Sequence, residues 1–175
     1  MHSEEIRDAQ RRALLRGLLA LGVAGGARAG AALRVGAAAP PATLVTLDGA
    51  RISTTELLGR VVILTFWATW CAPCRQELPL LSSYATEYAE RGLTILGFSL
   101  DWPEDLPKVR KMAQSLAFPS GLVARSSLRG YGRIWHIPVN FTIDRQGLLY
   151  QNGWEDKDAT WTSERFNHII LPLLS

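Results

Sequence analysis

Cys71 and Cys74 are the only cysteines among 175 residues, and they stand three positions apart in FWATWCAPCRQELPLL, residues 66–81. Two thiols at that spacing serve reversible dithiol–disulfide exchange, half of a zinc site, or a purely structural disulfide. A zinc site needs two more ligands, and there is no second C-x-x-C. Only His136 and His168, 32 residues apart, and His2 remain to supply them. A structural staple demands no special place in the fold, whereas an attacking thiol does.

The surrounding pattern supplies such a place. Residues 61–67, VVILTFW, form an apolar and β-branched run that reads as a central strand buried on both faces. A helix is expected from Cys71 or Ala72 to just before Gly92, with Leu78, Leu81, Tyr84, Ala85 and Tyr88 as its core stripe. Cys71 thus falls where a buried strand hands over to a helix. Unpaired N–H groups and the helix dipole there favour a thiolate and draw a thiol pKa from about 8.5 towards about 7. Cys74 lies one turn further in, shielded and placed to resolve a mixed disulfide. Pro73 falls in the first turn, where its missing N–H costs little. The spacing reads as one exposed attacker and one shielded resolver.

The other elements follow in order. Residues 43–47 and 50–52 flank Asp48-Gly49, a hairpin signal. Ser53 or Thr54 is placed to cap a short helix through Leu58, ended by Gly59. Residues 93–100 read as a second buried strand, and Val109, Met112, Ala113 and Leu116 as the apolar stripe of a helix. A short strand near Leu122-Val123 and a short helix over 127–131 come next. Strands 139–143 and 147–151 are joined by the polar turn IDRQG. Phe166, Ile169, Ile170 and Leu173 form one face of a closing helix that Ser163 is placed to cap. Strands alternating with helices, then a hairpin and a helix, imply an α/β sheet with an antiparallel edge.

On these residues the chain resembles the thioredoxin superfamily, and within it the TlpA/ResA-like exported branch. The run W-C-x-P-C-x-x-E-x-P carries the likeness, which extends over residues 40–175. It implies a thioredoxin fold with an N-terminal β-hairpin and a central αβ insertion, matched in order by the Asp48-Gly49 hairpin and residues 104–123. It further implies that Cys71 is the nucleophile, Cys74 the resolving thiol and Trp70 the flanking aromatic. Glu77 stands where this branch places an acid that tunes the cysteines, i, i+3 from Cys74 on one helix. Thioredoxin itself has a buried aspartate where this chain has Thr65, which leaves Glu77 as the proton handler. Pro79 matches a helix-kinking proline. Ile137-Pro138 resembles the cis-proline whose preceding backbone pairs with substrate, so the substrate-binding set is Trp70, Pro73, Ile137 and Pro138. Val139-Asn140 replaces the two threonines usual after that proline. His136 reads as a loop histidine, with substrate recognition and metal delivery as its alternative roles. Trp102, Trp135, Trp154 and Trp161 are expected to pack or to anchor loops.

Residues 1–29 read as an address. A basic stretch ends at Arg16, residues 17–27 are apolar or small, and Ala27-Arg28-Ala29 resembles a cleavage site. Eleven helical residues rise only about 16 Å, too short for a hydrocarbon core of roughly 30 Å. Arg11-Arg12 before a glycine-diluted core resembles a twin-arginine export signal. The expected organisation is a signal peptide over 1–29, a linker over 30–40 and a thioredoxin-like domain over 41–175, located in the periplasm or cell envelope. Of the net charge of +3, +2 sits in residues 1–29, and the remainder shows no dense basic cluster, which argues against nucleic acid.

The function expected is an exported thiol:disulfide oxidoreductase that reduces disulfides in cell-envelope proteins, such as apocytochrome c or copper-site cysteines. It would work as a monomer, without a bound cofactor, recharged by a membrane thiol electron donor. Its rivals are a disulfide-forming oxidase using the same residues in reverse and a copper- or zinc-binding module built on Cys71, Cys74 and His136. A peroxidase would need a lone cysteine in P-x-x-x-T-x-x-C, which is absent.

Overall fold

The computed structural model describes residues 33–175, so the expected leader over 1–29 lies outside the described residues. The Asp48-Gly49 turn joins strands β1 (Thr43–Val45) and β2 (Arg51–Ser53) as an antiparallel hairpin. Ser53 then caps a single 3-10 turn, Thr54–Glu56, through a full capping box with Glu56. The run at 61–67 becomes strand β3 (Val61–Trp67), all seven residues buried. Helix α1 (Ala72–Glu87), strand β4 (Leu93–Ser99), helix α2 (Leu106–Ala113) and strand β5 (Ser120–Leu122) follow. Strands β6 (Val139–Ile143) and β7 (Leu149–Gln151) and helix α3 (Ser163–Ile169) close the chain.

The five longer-range strands make one sheet in the order β5-β4-β3-β6-β7. β3 is its centre, parallel to β4 and antiparallel to β6, with Thr65 opposite both Gly97 and Asn140. Because successive strand side chains alternate, β3 feeds two cores. Val61, Ile63 and Trp67 pack with Leu78 and Leu81 of α1, Val109 of α2 and Phe166 of α3. Val62, Leu64 and Phe66 face the other way, onto Leu44 of the hairpin, Phe98, Tyr131, Phe141 and Leu149. The expected hairpin and αβ insertion are both present, the insertion being α2 and β5. The hairpin seals the outer edge at β5. There Leu47 N–H donates to Ser120 O at 2.9 Å, and a Cβ on Gly121 would lie 1.9 Å from Val45 O.

Several expectations need correction. No helix spans 127–131. Ser127 instead exchanges backbone hydrogen bonds of 2.8 and 2.9 Å with Thr43, and the short helical turn lies earlier, at Val123–Arg125. Gly130 and Gly132 adopt φ of 100° and 78°, which no right-handed helix accommodates. Thr162, not Ser163, caps α3, its side chain accepting from Arg165 N–H at 3.2 Å. Helix α2 stops at Ala113, so of its expected stripe only Val109 is fully buried. Residues 36–39, within the segment read as a linker, hydrogen-bond to the backbone of Gly147 and Leu149.

Candidate active site

Seven buried residues of β3 carry the chain to one end of the sheet, and α1 starts there after four more positions. Cys71 is the N-cap of α1 and Pro73 lies in its first turn, where a proline needs no acceptor. Cys71 and Cys74 are joined in a disulfide with Cα atoms 5.3 Å apart. Cys74 N–H points at Cys71 Sγ, 3.2 Å away. One of the first unpaired donors of a sixteen-residue helix is therefore aimed at the sulfur whose thiolate it would stabilise. The exposed attacker is corrected in one respect: Cys71 is 5% exposed and Cys74 0%, so both are recessed and Cys71 is the only one that meets solvent. Pro79 lies inside α1 on its exposed side and removes one bond of the helix ladder.

Glu77 is 1% exposed, far from a solvated helix glutamate. Its Oε2 accepts Trp161 N–H at 2.7 Å, across 84 residues of chain, while Oε1 has no hydrogen-bond partner among the described residues. Burial raises its carboxyl from 4.5 to about 7, outweighing the Trp161 N–H, Asn140, Arg165 and Thr65, which favour the ionised form. Asn140, the departure from the usual threonines, donates to Ala159 O at 2.7 Å and shares this buried face with Thr65. Arg165, ion-paired with Asp156, places its guanidinium 5.3 Å from the centre of the Trp161 ring.

The bond between Ile137 and Pro138 is cis, and Ile137 packs against both cores. β6 begins at the next residue, with Val139 opposite Phe66, which puts this loop at the sheet end where β3 delivers the cysteines. Tryptophans divide around that end. Trp161 is buried, and Trp154 is anchored by Nε1–H donation to Tyr131 O at 2.7 Å, as expected of packing residues. Trp102 and Trp135 are 73% and 74% exposed, and Trp70 is 64% exposed, so none of the three is a core residue. Each lies within four residues of the ends of β4, β6 and β3 at which the chain turns to the disulfide. Trp135 is nonetheless held in place, parallel to Trp154 with ring centres 6.1 Å apart. His136 lies against both indoles, 4.0 Å from Trp135 and 5.3 Å from Trp154 between ring centres. Among the described residues no three His, Cys, Asp or Glu side chains gather as a metal-ligand set, and Cys71, Cys74 and His136 do not form one.

Sequence reasoning missed Trp161 as the donor to Glu77, and it missed Asp101. Asp101 is buried just past β4 and hydrogen-bonds to Thr69, two residues before Cys71. Its signal was a carboxylate at the end of a buried strand, next to the polar Ser99.

Comparison with known proteins agrees with this geometry. The sequence pattern of the AhpC/TSA family matches residues 35–151. A thiol-disulfide oxidoreductase ResA of Bacillus cereus is 30% identical over 119 residues, 68% of this chain and 69% of that protein. The thioredoxin-like protein YneN of Bacillus subtilis is 32% identical over 120 residues, 67% of this chain and 69% of that protein. The crystal structure of a thiol:disulfide interchange protein from Chlorobium tepidum superposes with a TM-score of 0.66 at 28% identity. It covers 83% of this chain and all of that one. Among the described residues no helix is long and apolar enough to cross a membrane.

Proposed function

The chain belongs to the AhpC/TSA family and is a thiol:disulfide oxidoreductase of the thioredoxin fold, and from that premise we propose that it is an exported reductant of protein disulfides in the cell envelope. The observation that carries the reading is the Cys71–Cys74 disulfide at a helix N-cap, with the buried carboxyl of Glu77 one turn further along the same helix.

In the reduced protein Cys71 Sγ, as thiolate, attacks one sulfur of a substrate disulfide. The substrate S–S bond breaks, the leaving thiolate takes up a proton, and a mixed disulfide forms. Cys74 then gives its proton to Glu77, whose carboxyl near 7 can accept and return one at neutral pH. Cys74 Sγ attacks Cys71 Sγ, and the second substrate thiolate departs and is protonated. Two electrons have passed to the substrate, and the protein is left as the disulfide. A membrane thiol donor returns two electrons by the same exchange in reverse. Recessed sulfurs, with the exposed indoles of Trp70, Trp102 and Trp135 on loops at the same end of the sheet, suit an extended, cysteine-bearing polypeptide, with the backbone at Ile137 as its pairing edge. Apocytochrome c and copper-site cysteines are substrates of that kind. Export rests on the twin-arginine-like residues 11–16.

The test is the reduction potential of the Cys71–Cys74 pair, read by thiol labelling in defined redox buffers. A value below about −230 mV is expected of a reductant, whereas one near −120 mV would mark a disulfide donor and overturn the direction proposed.

A further inference from the structure

Asp101 is 3% exposed, and among the described residues no cation forms an ion pair with it. Its two carboxyl oxygens are filled by three donors instead. Thr69 N–H donates to Oδ2 at 2.9 Å and Thr69 Oγ1–H to Oδ1 at 2.5 Å. Ser99 Oγ–H donates to Oδ2 at 2.7 Å, and Ser99 Oγ in turn accepts Asp101 N–H at 3.1 Å. Both oxygens are engaged, and Thr69 N–H, which can only donate, is fixed on Oδ2. Asp101 acts through space on Lys108 of α2, which is largely exposed and paired with Asp105 at 2.7 Å.

The clasp grips the run-in to the disulfide. Leu100 N–H still continues the β3–β4 pairing by donating to Trp67 O at 2.8 Å. Cys71 N–H closes the turn onto Ala68 O at 3.1 Å. Between those two bonds Thr69 is held by the Asp101 carboxylate alone through both its backbone and its hydroxyl. An asparagine there keeps one acceptor oxygen for Thr69 N–H and Ser99 Oγ–H and can turn its NH2 to the Thr69 hydroxyl, so it removes the charge while the contacts are kept.

We propose that Asp101 is a positioning residue for the exchange reaction: it fixes the approach to Cys71 and, as a fixed negative charge beside the start of α1, holds the Cys71 thiolate less stable than the helix N-terminus alone would make it. The two influences oppose each other at one sulfur. A thiolate stabilised only by a helix N-terminus makes the reduced form favourable and the pair oxidising; a nearby carboxylate pushes the balance back towards a reductant. The inference rests on Cys71 being the attacking thiol.

The experiment is an absorbance titration of the Cys71 thiolate in reduced wild type, Asp101→Asn and Asp101→Glu. Removing one charge is expected to raise the thiolate-to-thiol ratio about threefold at a given pH below the midpoint, the order of a solvent-screened pair. Above the midpoint the same factor makes the potential about 14 mV less negative. Asp101→Glu restores the charge and is expected to bring the titration back towards wild type. A merely structural clasp would lower the melting temperature of both variants and leave the thiol titration where it was, which overturns the proposal. If Asp101→Asn does not fold, Thr69→Val removes one donor and leaves the charge less compensated. Cys71 must then titrate higher than in wild type, and an unchanged or lower titration overturns the proposal. Failure of the wild type to show any titrating thiolate would instead sink Cys71 as the attacker.

Discussion

Alternate residues of one strand, β3, build two faces of the same sheet under different rules. On the face of Val62, Leu64 and Phe66 the core is closed by aromatic contacts. Phe66 stacks on Phe98 at 5.1 Å, and Phe141 meets the edges of Phe66 and Tyr131 at 5.8 and 5.0 Å. Buried side-chain atoms without hydrogen-bond partners are absent from that cluster among the described residues. Buried polar side chains lie on the other face, at Thr65, Glu77 and Asn140, around the helix that carries the disulfide. Burying a polar group costs about 1–3 kcal/mol unless partners satisfy it, and here Thr65 and Asn140 both act on the Glu77 carboxyl. The difference teaches where the polar groups belong: they surround the carboxyl that has to move a proton, and the opposite face is closed by aromatic side chains.

The sharpest way to break that division is Phe141→Ala. Truncating a fully buried phenylalanine in the apolar face is expected to cost about 3–5 kcal/mol in urea unfolding, while the reduction potential stays at the wild-type value. A shifted potential would mean that the two faces are not independent.

Glu77→Gln probes the other face. The native carboxyl titrates near 7 and the unfolded one near 4.5, so the native state holds a proton that the unfolded state has lost between those values. Stability therefore falls as pH rises through this window, by about 3 kcal/mol in all, and is flat on either side. The glutamine variant should lack this slope, gaining most over wild type at pH 8 and little at pH 4, and should resolve mixed disulfides more slowly. Urea unfolding of the oxidised protein at both pH values reads the first effect. An identical slope in the two proteins would show that burial does not hold the carboxyl near 7.

Trp135→Ala is expected to do least to the fold, with stability changing by less than about 0.5 kcal/mol because the indole is mostly in solvent. Its effect belongs to substrate: a raised KM for a cysteine-bearing polypeptide and an unchanged one for a small disulfide. Equal effects on both would remove the indole from recognition.

Much of this was legible in local spacing. The seven-residue run of β3, the Asp48-Gly49 turn and the N-cap position of Cys71 were all anticipated, whereas the cis peptide before Pro138 was implied only by the family resemblance. Strand and helix periodicity, turn chemistry and a short motif act within a few residues of each other. The absent helix at 127–131 and the exposure of Trp102 and Trp135 were not anticipated. Ser127 is committed to pairing with Thr43, and whether an indole packs depends on what the fold brings over it.

By itself the sequence determined that two thiols stand at the junction of a buried strand and a helix, with an acid one turn on, because those relations are set along ten residues of chain. Only the tertiary structure decided that the acid is buried, that Trp161 N–H meets it, that Asn140 lies opposite Thr65 and that Asp101 grips Thr69. Those contacts join residues 32 to 84 positions apart. They follow from sheet register and helix packing, which many weak interactions settle together and no local pattern encodes.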